Sequence, residues 1–297
     1  MFLWYNIIEE NLMRTKTSIR FFNNIPIRAR WDDKENIWWY SATDIVASLT
    51  GTNNARRYWN TFKSRHFELS SFCRQLKLTA NDGKQYLSDV LDENGVLELL
   101  NLIKCNNKLV FSKWIKGLAN PLDELSRQKA YELFENKLLD EISVGTADGL
   151  CQIHKYLFDG IYDFAGQIRT KNISKSGFQF ANALYLSDIL NQISKMDENT
   201  LEDIVNKYIE MNIAHPFMEG NGRATRIWLD LILKSRLNKC VDWSLIDKKD
   251  YLYAMEKSPL NPSLIYNLIS KALTKEINNR EIFMKGIDYS YYYEEVE

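Results

Sequence analysis

Cysteine is scarce in this chain and scattered where it does occur. Four cysteines stand in 297 residues, Cys73, Cys105, Cys151 and Cys240, and they share neither a paired spacing nor a neighbouring histidine. That pattern excludes a disulfide scaffold and a cysteine-based zinc site, and it points to reduced thiols in a cytoplasmic setting. Long apolar runs are also missing. The stretch from Ile103 to Val110 is broken by Lys104, Asn106, Asn107 and Lys108, and nothing approaches the ~20 apolar residues of a spanning helix. A soluble protein with no membrane partner is expected. The start, Met1 to Glu10, has no basic region ahead of its apolar stretch and carries acids where a cleavage site needs small residues, which argues against a secretory leader. No internal repeat occurs, and Tyr291-Tyr292-Tyr293 is the one low-complexity run.

What remains is a globular composition with a division of charge. Hydrophobic residues make up 45% and aromatic residues 13% of the chain, enough to build a core in each of two ordinary domains. The net charge is only −1, yet Lys and Arg outnumber Asp and Glu in the first 120 residues, and the excess reverses beyond them. Two domains with different partners would produce such a division; so would two halves that attract each other.

The first half alternates strand-like and helical segments. Ile25 to Trp31 and Ile37 to Tyr40, separated by the polar stretch Asp32 to Asn36, predict a hairpin. Ser41 can cap a helix from Ala42 to Leu49 that stops at Gly51. Arg56 to Lys63 predicts a helix with one basic face, and Asn81-Asp82-Gly83-Lys84 a tight turn between extended segments. Helices follow from Glu93 to Ile103 and from Leu109 to Gly117. The domain boundary falls at Ala119-Asn120-Pro121, where proline ends one helix and can open the next.

Residues 121–297 are predominantly helical by pattern. Leu201, Ile204, Val205, Tyr208 and Ile209 share a helical face, as do Ile227, Trp228, Leu231 and Ile232, and then Leu264, Ile265, Leu268, Ile269, Ala272 and Leu273. These stripes are core. One segment is strand-like: Ile168, Thr170, Asn172 and Ile173 before Ser176-Gly177, and Phe178 and Phe180 after it, predict a hairpin spanning Gln167 to Ala181 that projects from the helical body. The expected fold class is mainly α, an all-helical domain with a β-hairpin flap, preceded by a small α+β domain over residues 1–120.

The densest chemistry lies in His215-Pro216-Phe217-Met218-Glu219-Gly220-Asn221-Gly222-Arg223-Ala224-Thr225-Arg226. This is a loop feeding a helix. Gly220 and Gly222 let backbone amides turn inward, and the helix dipole favours an anion there, with phosphate as the natural occupant. Arg223 and Arg226 lie three apart on one face, placed to clamp the outer phosphates of a nucleoside triphosphate. Glu219 offers a carboxylate for Mg²⁺ against the same phosphates. His215, the group nearby that titrates around neutrality, is placed to take a proton from an attacking hydroxyl.

These twelve residues match in full the signature His-x-Phe-x-(Asp/Glu)-Gly-Asn-Gly-Arg-x-x-Arg, and the chain from about Pro121 to Glu297 resembles the Fic family. Asp163-Phe164-Ala165-Gly166-Gln167-Ile168-Arg169 is similar to the family's approach to its target-binding hairpin. The resemblance implies transfer of AMP from ATP, with Mg²⁺, to a Ser, Thr or Tyr hydroxyl of a target protein. It gives His215 as general base, Phe217 as core anchor and Glu219 as metal ligand. Asn221 with the Gly220 and Gly222 amides would hold the α and β phosphates, and Arg223 and Arg226 the β and γ phosphates. Relatives that transfer phosphate carry lysine where this chain has Gly222, so glycine favours nucleotidyl transfer. The hairpin would be the flap on which a target segment adds as an extra strand.

The tail Ser290-Tyr291-Tyr292-Tyr293-Glu294 resembles the family's C-terminal inhibitory helix. By that resemblance Glu294 pairs with Arg226 and occupies the γ-phosphate position, so the enzyme rests switched off. Glu295 stands where the family pattern has Gly or Asn. Relatives with this arrangement are relieved by losing oligomeric contacts and by modifying their own tyrosines, which makes a homo-oligomer expected and Tyr291, Tyr292 and Tyr293 candidate self-targets. Some such relatives are toxin-like and act on subunits of type II topoisomerases.

Residues 19–117 resemble the Bro-N domains of phage antirepressors, through Trp38 to Val46, Arg56-Arg57-Tyr58-Trp59, Gln75-Leu76-Lys77 and Asp82-Gly83-Lys84. The resemblance implies DNA binding, with Arg56, Arg57, Lys63 and Arg65 as contacts. A core helix with a solvated basic face explains the same residues equally well. Homologous domains begin near Ile19, which makes Met13 a candidate start beside Met1. Two further functional readings stay open: a transcription regulator whose second half only senses nucleotide, and an enzyme that uses another nucleotide or removes AMP from its targets.

Overall fold

The computed structural model describes residues 17–22, 25–32, 34–80, 84–117, 121–135, 138–175 and 178–294. Met13, Asn81-Asp82-Gly83, Ala119-Asn120, Ser176-Gly177 and Glu295, each given a part by the sequence, lie outside the described residues. The chain divides into two compact units, residues 1–120 and 121–297.

In the first unit, strands β1 (Thr17–Phe22), β2 (Ile25–Asp32), β3 (Ile37–Ser41), β4 (Cys73–Thr79) and β5 (Gln85–Leu91) form one antiparallel sheet in the order β1-β2-β3-β5-β4. The helices are α1 (Ala42–Thr50), α2 (Ala55–Arg65), α3 (Glu93–Leu102) and α4 (Lys108–Gly117). Alternation along β2 sends Ile27 and Ala29 into the core, where they join Ile45 and Val46 of α1, Trp59 of α2 and Phe111 of α4. Arg28, on the other face of β2, donates to both oxygens of Asp44 at 2.7 and 2.8 Å and so ties the start of α1 to the sheet. Ser41 caps α1 by accepting from the Asp44 amide, and Gly51 closes the helix in the left-handed conformation. The extra strand β1, which the sequence pattern did not single out, pairs with β2 from Phe22↔Ile25 to Thr17↔Arg30.

The second unit is helical: α5 (Pro121–Glu135), α6 (Ala147–Phe158), α7 (Leu186–Ser194), α8 (Leu201–Ala214), α9 (Asn221–Leu237), α10 (Lys248–Lys257), α11 (Ser263–Ala272) and α12 (Arg280–Glu294). Short strand pairs accompany them, β6 (Ser174–Lys175) with β7 (Phe178–Gln179) and β8 (Cys240–Val241) with β9 (Leu273–Thr274). Helix α9 runs through the middle, with Ala224, Trp228, Leu229, Ile232 and Leu233 fully buried. A capping box between Thr200 and Asp203 starts α8 and fixes the direction from which the chain reaches His215.

The projecting hairpin is shorter than the sequence pattern predicts. Among the described residues Ser174–Lys175 and Phe178–Gln179 pair as strands, and Ile168, Thr170, Asn172 and Ile173 lie outside those two strands. The cause is Arg169. Its buried guanidinium donates to the carbonyls of His215 (2.7 Å), Ala214 (3.0 Å), Lys171 (2.7 Å) and Ala181 (2.5 Å), and its backbone amide donates to the Pro216 carbonyl at 2.8 Å. Arg169 is thereby tied to the end of α8, while the Ile173 carbonyl still accepts from the Phe180 amide across the hairpin at 3.3 Å.

Candidate active site

The motif begins where α8 stops. His215 caps that helix in the left-handed conformation (φ 48°), an uncommon state for a residue with a side chain. The cation of Arg169 on the carbonyls of Ala214 and His215 offsets that strain and satisfies the last carbonyls of the helix. The His215 ring stacks on Phe180 of the flap at 3.7 Å and 16°. Its Nδ1 lies 3.3 Å from the Asn212 carbonyl, which can only accept. In the neutral ring the proton therefore sits on Nδ1 and the lone pair on Nε2.

The loop that follows is held by its own side chains. Asn221 accepts from the Phe217 amide and donates to the Phe217 carbonyl, both at 2.8 Å, and Phe217 is fully buried beneath. Both polar atoms of the Asn221 side chain are thus spent on loop geometry. Gly220 opens α9 with φ 80°, and an added Cβ would sit 2.5 Å from the Phe158 ring. The Gly220 amide donates to Glu219 Oε1 at 3.0 Å. Glu219 is otherwise at the surface, its side chain 57% exposed.

Both motif arginines are buried and already occupied. Arg223 donates from Nη1 to Asp123 of α5 at 2.5 Å and from Nη2 to Glu219 at 3.0 Å, while its Nε is buried without a hydrogen-bond partner. Arg226 donates from Nε to Ser290 Oγ (2.7 Å), from Nη2 to the Ser290 carbonyl (2.8 Å) and to Glu294 Oε1 (2.6 Å), and from Nη1 to Tyr251 Oη (3.1 Å). Burial works against its charge, yet Tyr251 and Glu294 together hold the guanidinium pKa above its ordinary value. Gly222 makes the Glu294 contact sterically possible, since a Cβ there would lie 2.1 Å from Glu294 Oε1.

Helix α12 is packed, not frayed. Tyr291 donates to Ser126 Oγ at 2.7 Å, Tyr293 donates to the carbonyls of Trp243 and Ile246 at 3.0 and 2.9 Å, and the Tyr292 ring lies under Lys248. All three tyrosines are buried in this conformation, so none is open to modification until the helix moves. Arg127 and Tyr131 of α5 both donate to the buried Asp288 carboxylate, and Phe134 stacks on Phe283 at 4.3 Å.

Four side chains of the site escaped the sequence reading: Asp123, His154, Arg169 and Tyr251. His154 is fully buried on α6; burial pushes its pKa down to about 4, and it bonds both the Gly166 amide and the Glu219 carbonyl. Arg169 was noticed only as the last residue of a family-like segment. Composition gives no signal for it, because Lys171 and Lys175 follow in the same polar segment.

The sequence profile of the Fic/DOC family matches residues 145–233, from just before α6 into α9. This segment is a Fic/DOC domain. The protein adenylyltransferase VbhT of Bartonella schoenbuchensis is 30% identical over 149 residues, which cover 46% of this chain and 30% of VbhT. The probable protein adenylyltransferase Fic of Salmonella typhimurium is 30% identical over 92 residues, 27% of this chain and 46% of that protein. The chain thus matches less than half the length of either relative. Among solved structures, the Bartonella tribocorum protein BepC with bound AMPPNP aligns with a TM-score of 0.43 at 18% identity, over 54% of this chain and 88% of that one. Both α5 and α12, which occupy the arginines of the Fic/DOC domain, lie outside the profile match.

In the first unit, Arg56, Arg57 and Arg65 are exposed on α2. Lys63 departs from the expected basic face. It donates to Asp89 of β5, whose Oδ2 also accepts from the Trp59 indole at 2.7 Å, so it is turned toward the sheet. A groove of about 520 Å³ is lined on its other side by Arg57, Tyr58, Phe62, Arg65, His66 and Lys104.

Proposed function

We propose that the second unit is a protein adenylyltransferase that transfers AMP from ATP to a Ser, Thr or Tyr hydroxyl of a target protein, and that its resting form is held off by Glu294. The observation that carries this reading is the motif loop itself: a glycine-framed helix start with two buried arginines beneath it and a histidine lone pair at its edge. The hydroxyl oxygen would attack the α-phosphorus, the bond to the β-phosphate oxygen would break, and pyrophosphate would leave. His215 Nε2 is the acceptor for the hydroxyl proton. The Gly220 and Gly222 amides are the donors for the phosphate chain, and Asn221 serves by shaping the loop. Magnesium, carried with ATP, would neutralise charge on the phosphates. Glu219, an exposed carboxylate beside the Gly220 amide that now pairs with Arg223, is the residue that would hold the ion once phosphates take its place on Arg223.

In the resting form Glu294 and Asp123 supply the negative charge that phosphates would bring to Arg226 and Arg223. The flap would receive the target as an added strand, and Phe180 links the flap to the ring of the base. Incubation with labelled ATP and Mg²⁺ tests the reading, comparing the wild type with Glu294→Gly and Glu294→Gly/His215→Ala. Label from α-labelled but not γ-labelled ATP, seen in the first variant and lost in the second, is the expected result. No label on the Glu294→Gly protein or on any lysate protein would refute it.

For the first unit we propose DNA as partner, on the observation that Arg57, Arg65 and Lys104 line one groove beside Tyr58 and Phe62. A type II topoisomerase subunit as target would suit a DNA-binding neighbour.

A further inference from the structure

We infer that His154 is a positioning residue of the reaction, an imidazole that sets the direction of the Gly220 amide and ties the phosphate cradle to the root of the flap. The inference rests on the nucleotide-binding reading given above. The ring lies on α6, outside the motif, and is fully buried. The Gly166 amide donates to Nδ1 at 2.9 Å, so Nδ1 is the acceptor and the ring proton sits on Nε2. Nε2 then donates to the Glu219 carbonyl at 2.9 Å.

That second bond has a consequence for the cradle. The Glu219–Gly220 peptide is trans, and a trans peptide carries its C=O and N–H on opposite edges. With the carbonyl turned down onto His154, the Gly220 N–H must point away from the ring, to the side where the Glu219 carboxylate now accepts it at 3.0 Å. The carboxylate marks the place of an anion. Phe217 stacks on the imidazole at 3.7 Å and 21°, and its backbone is bridged by Asn221, so the ring plane and the loop are held as one body.

The first bond carries the same registration to the base. Gly166, in the left-handed conformation, begins the short run to Arg169, whose guanidinium holds the Ala214 and His215 carbonyls. An added Cβ at Gly166 would lie 2.7 Å from Lys155 Cβ, one residue along α6 from His154. Both amide direction and base position are therefore referred to one imidazole. A leucine or phenylalanine would fill the volume without two buried polar partners to satisfy.

The test uses the full chain with Glu294→Gly, into which His154→Phe and His154→Gln are introduced. Phenylalanine keeps the stack on Phe217 and loses both hydrogen bonds; glutamine supplies one donor and one acceptor. The expected result is a cooperative melt for both variants, a fall in kcat/KM for AMP transfer of at least about 10-fold in His154→Phe, short of the ~100-fold or more that deleting a donor outright costs, and partial rescue in His154→Gln. Transfer by folded His154→Phe at the parent rate, or no advantage of glutamine over phenylalanine, overturns it. If the parent transfers no AMP but binds a non-hydrolysable ATP analogue, the same comparison is made on affinity, and the reading of the reaction fails while this one is still decided. A parent that binds no nucleotide sinks both. Should His154→Phe not fold, nitrogen chemical shifts of His154 in the intact wild type decide: the tautomer with its proton on Nε2 is expected, and a proton on Nδ1 overturns the assignment.

Discussion

Replacing Glu294 with glutamine separates the two roles its carboxylate plays. The Arg226 guanidinium is 3% and the Glu294 carboxylate 29% exposed, with 2.6 Å between them. Exposed pairs contribute about 0 to 1 kcal/mol and breaking a buried one costs about 3 to 5 kcal/mol; a pair buried on one side falls between, at about 2 kcal/mol. Arg226 keeps Ser290 and Tyr251 as partners, so glutamine removes charge without orphaning the cation. If phosphates must displace the carboxylate, the apparent Kd is the intrinsic Kd divided by the fraction of molecules in which Arg226 is accessible. A latch weakened by about 2 kcal/mol then tightens binding of a non-hydrolysable ATP analogue by about 30-fold. The same change lowers Tm, by roughly 2 to 4 °C per kcal/mol in a chain of this size.

Affinity and stability should thus move in opposite directions, read by titration calorimetry and by melting without nucleotide. A residue that merely holds the helix in place would lose both together. Unchanged or weaker nucleotide binding in a folded Glu294→Gln protein refutes the reasoning, because Arg226 would then not be the group that phosphate and carboxylate share.

Asp123→Asn should also tighten nucleotide binding, by about fivefold in the same titration, since its side chain is 43% exposed and the pair with Arg223 contributes about 1 kcal/mol. Stability against pH carries two buried groups of opposite sign: His154, with an ordinary value of 6.5 and a folded value of about 4, loses up to about 3 kcal/mol of stabilisation as pH falls from 6.5 to 4, whereas Asp230, 3.8 ordinarily and about 7 when buried, gains up to about 4 kcal/mol as pH falls from 7 to 3.8. Urea midpoints between pH 7 and 5 should therefore fall more steeply on acidification in Asp230→Asn than in the wild type, and rise in His154→Phe. For the first unit, Arg56→Ala/Arg57→Ala should lower salt-dependent DNA affinity, measured by anisotropy at two ionic strengths, while Lys63→Ala should lower Tm instead by releasing Asp89.

The elements legible in the sequence were those fixed by local chemistry. Ser41 and Gly51 bracket α1, and the apolar stripe from Leu201 to Ile209 marks α8, because caps and periodicity act within a few residues. The motif loop was legible for the same reason: its glycines, acid and arginines are contiguous. The flap was legible as a hairpin but not in its extent, since Arg169 reaches across to α8, a pairing that alternation of side chains cannot reveal. Asp123, His154 and Tyr251 were invisible for a related reason. Each sits on an ordinary helical stripe, and only the packing of α5, α6 and α10 against the motif brings its polar atom to an arginine or a loop carbonyl.

The two carboxylates over the arginines are coupled by the helices that carry them. Asp123 sits in the first turn of α5, and Ser126, Arg127, Tyr131 and Phe134 on the same helix hold Tyr291, Asp288 and Phe283 of α12. Moving α12 to take Glu294 off Arg226 without moving α5 would pull the Asp288 carboxylate away from Arg127 and Tyr131, so that buried contact opposes separation of the pair. Withdrawal of α5 would carry Asp123 from Arg223 and at the same time remove the donors that hold α12. The cheapest route to an open phosphate site is therefore displacement of both helices together, and substitution of Asp288 by asparagine should uncouple them: Glu294 would release more readily while Asp123 stays on Arg223.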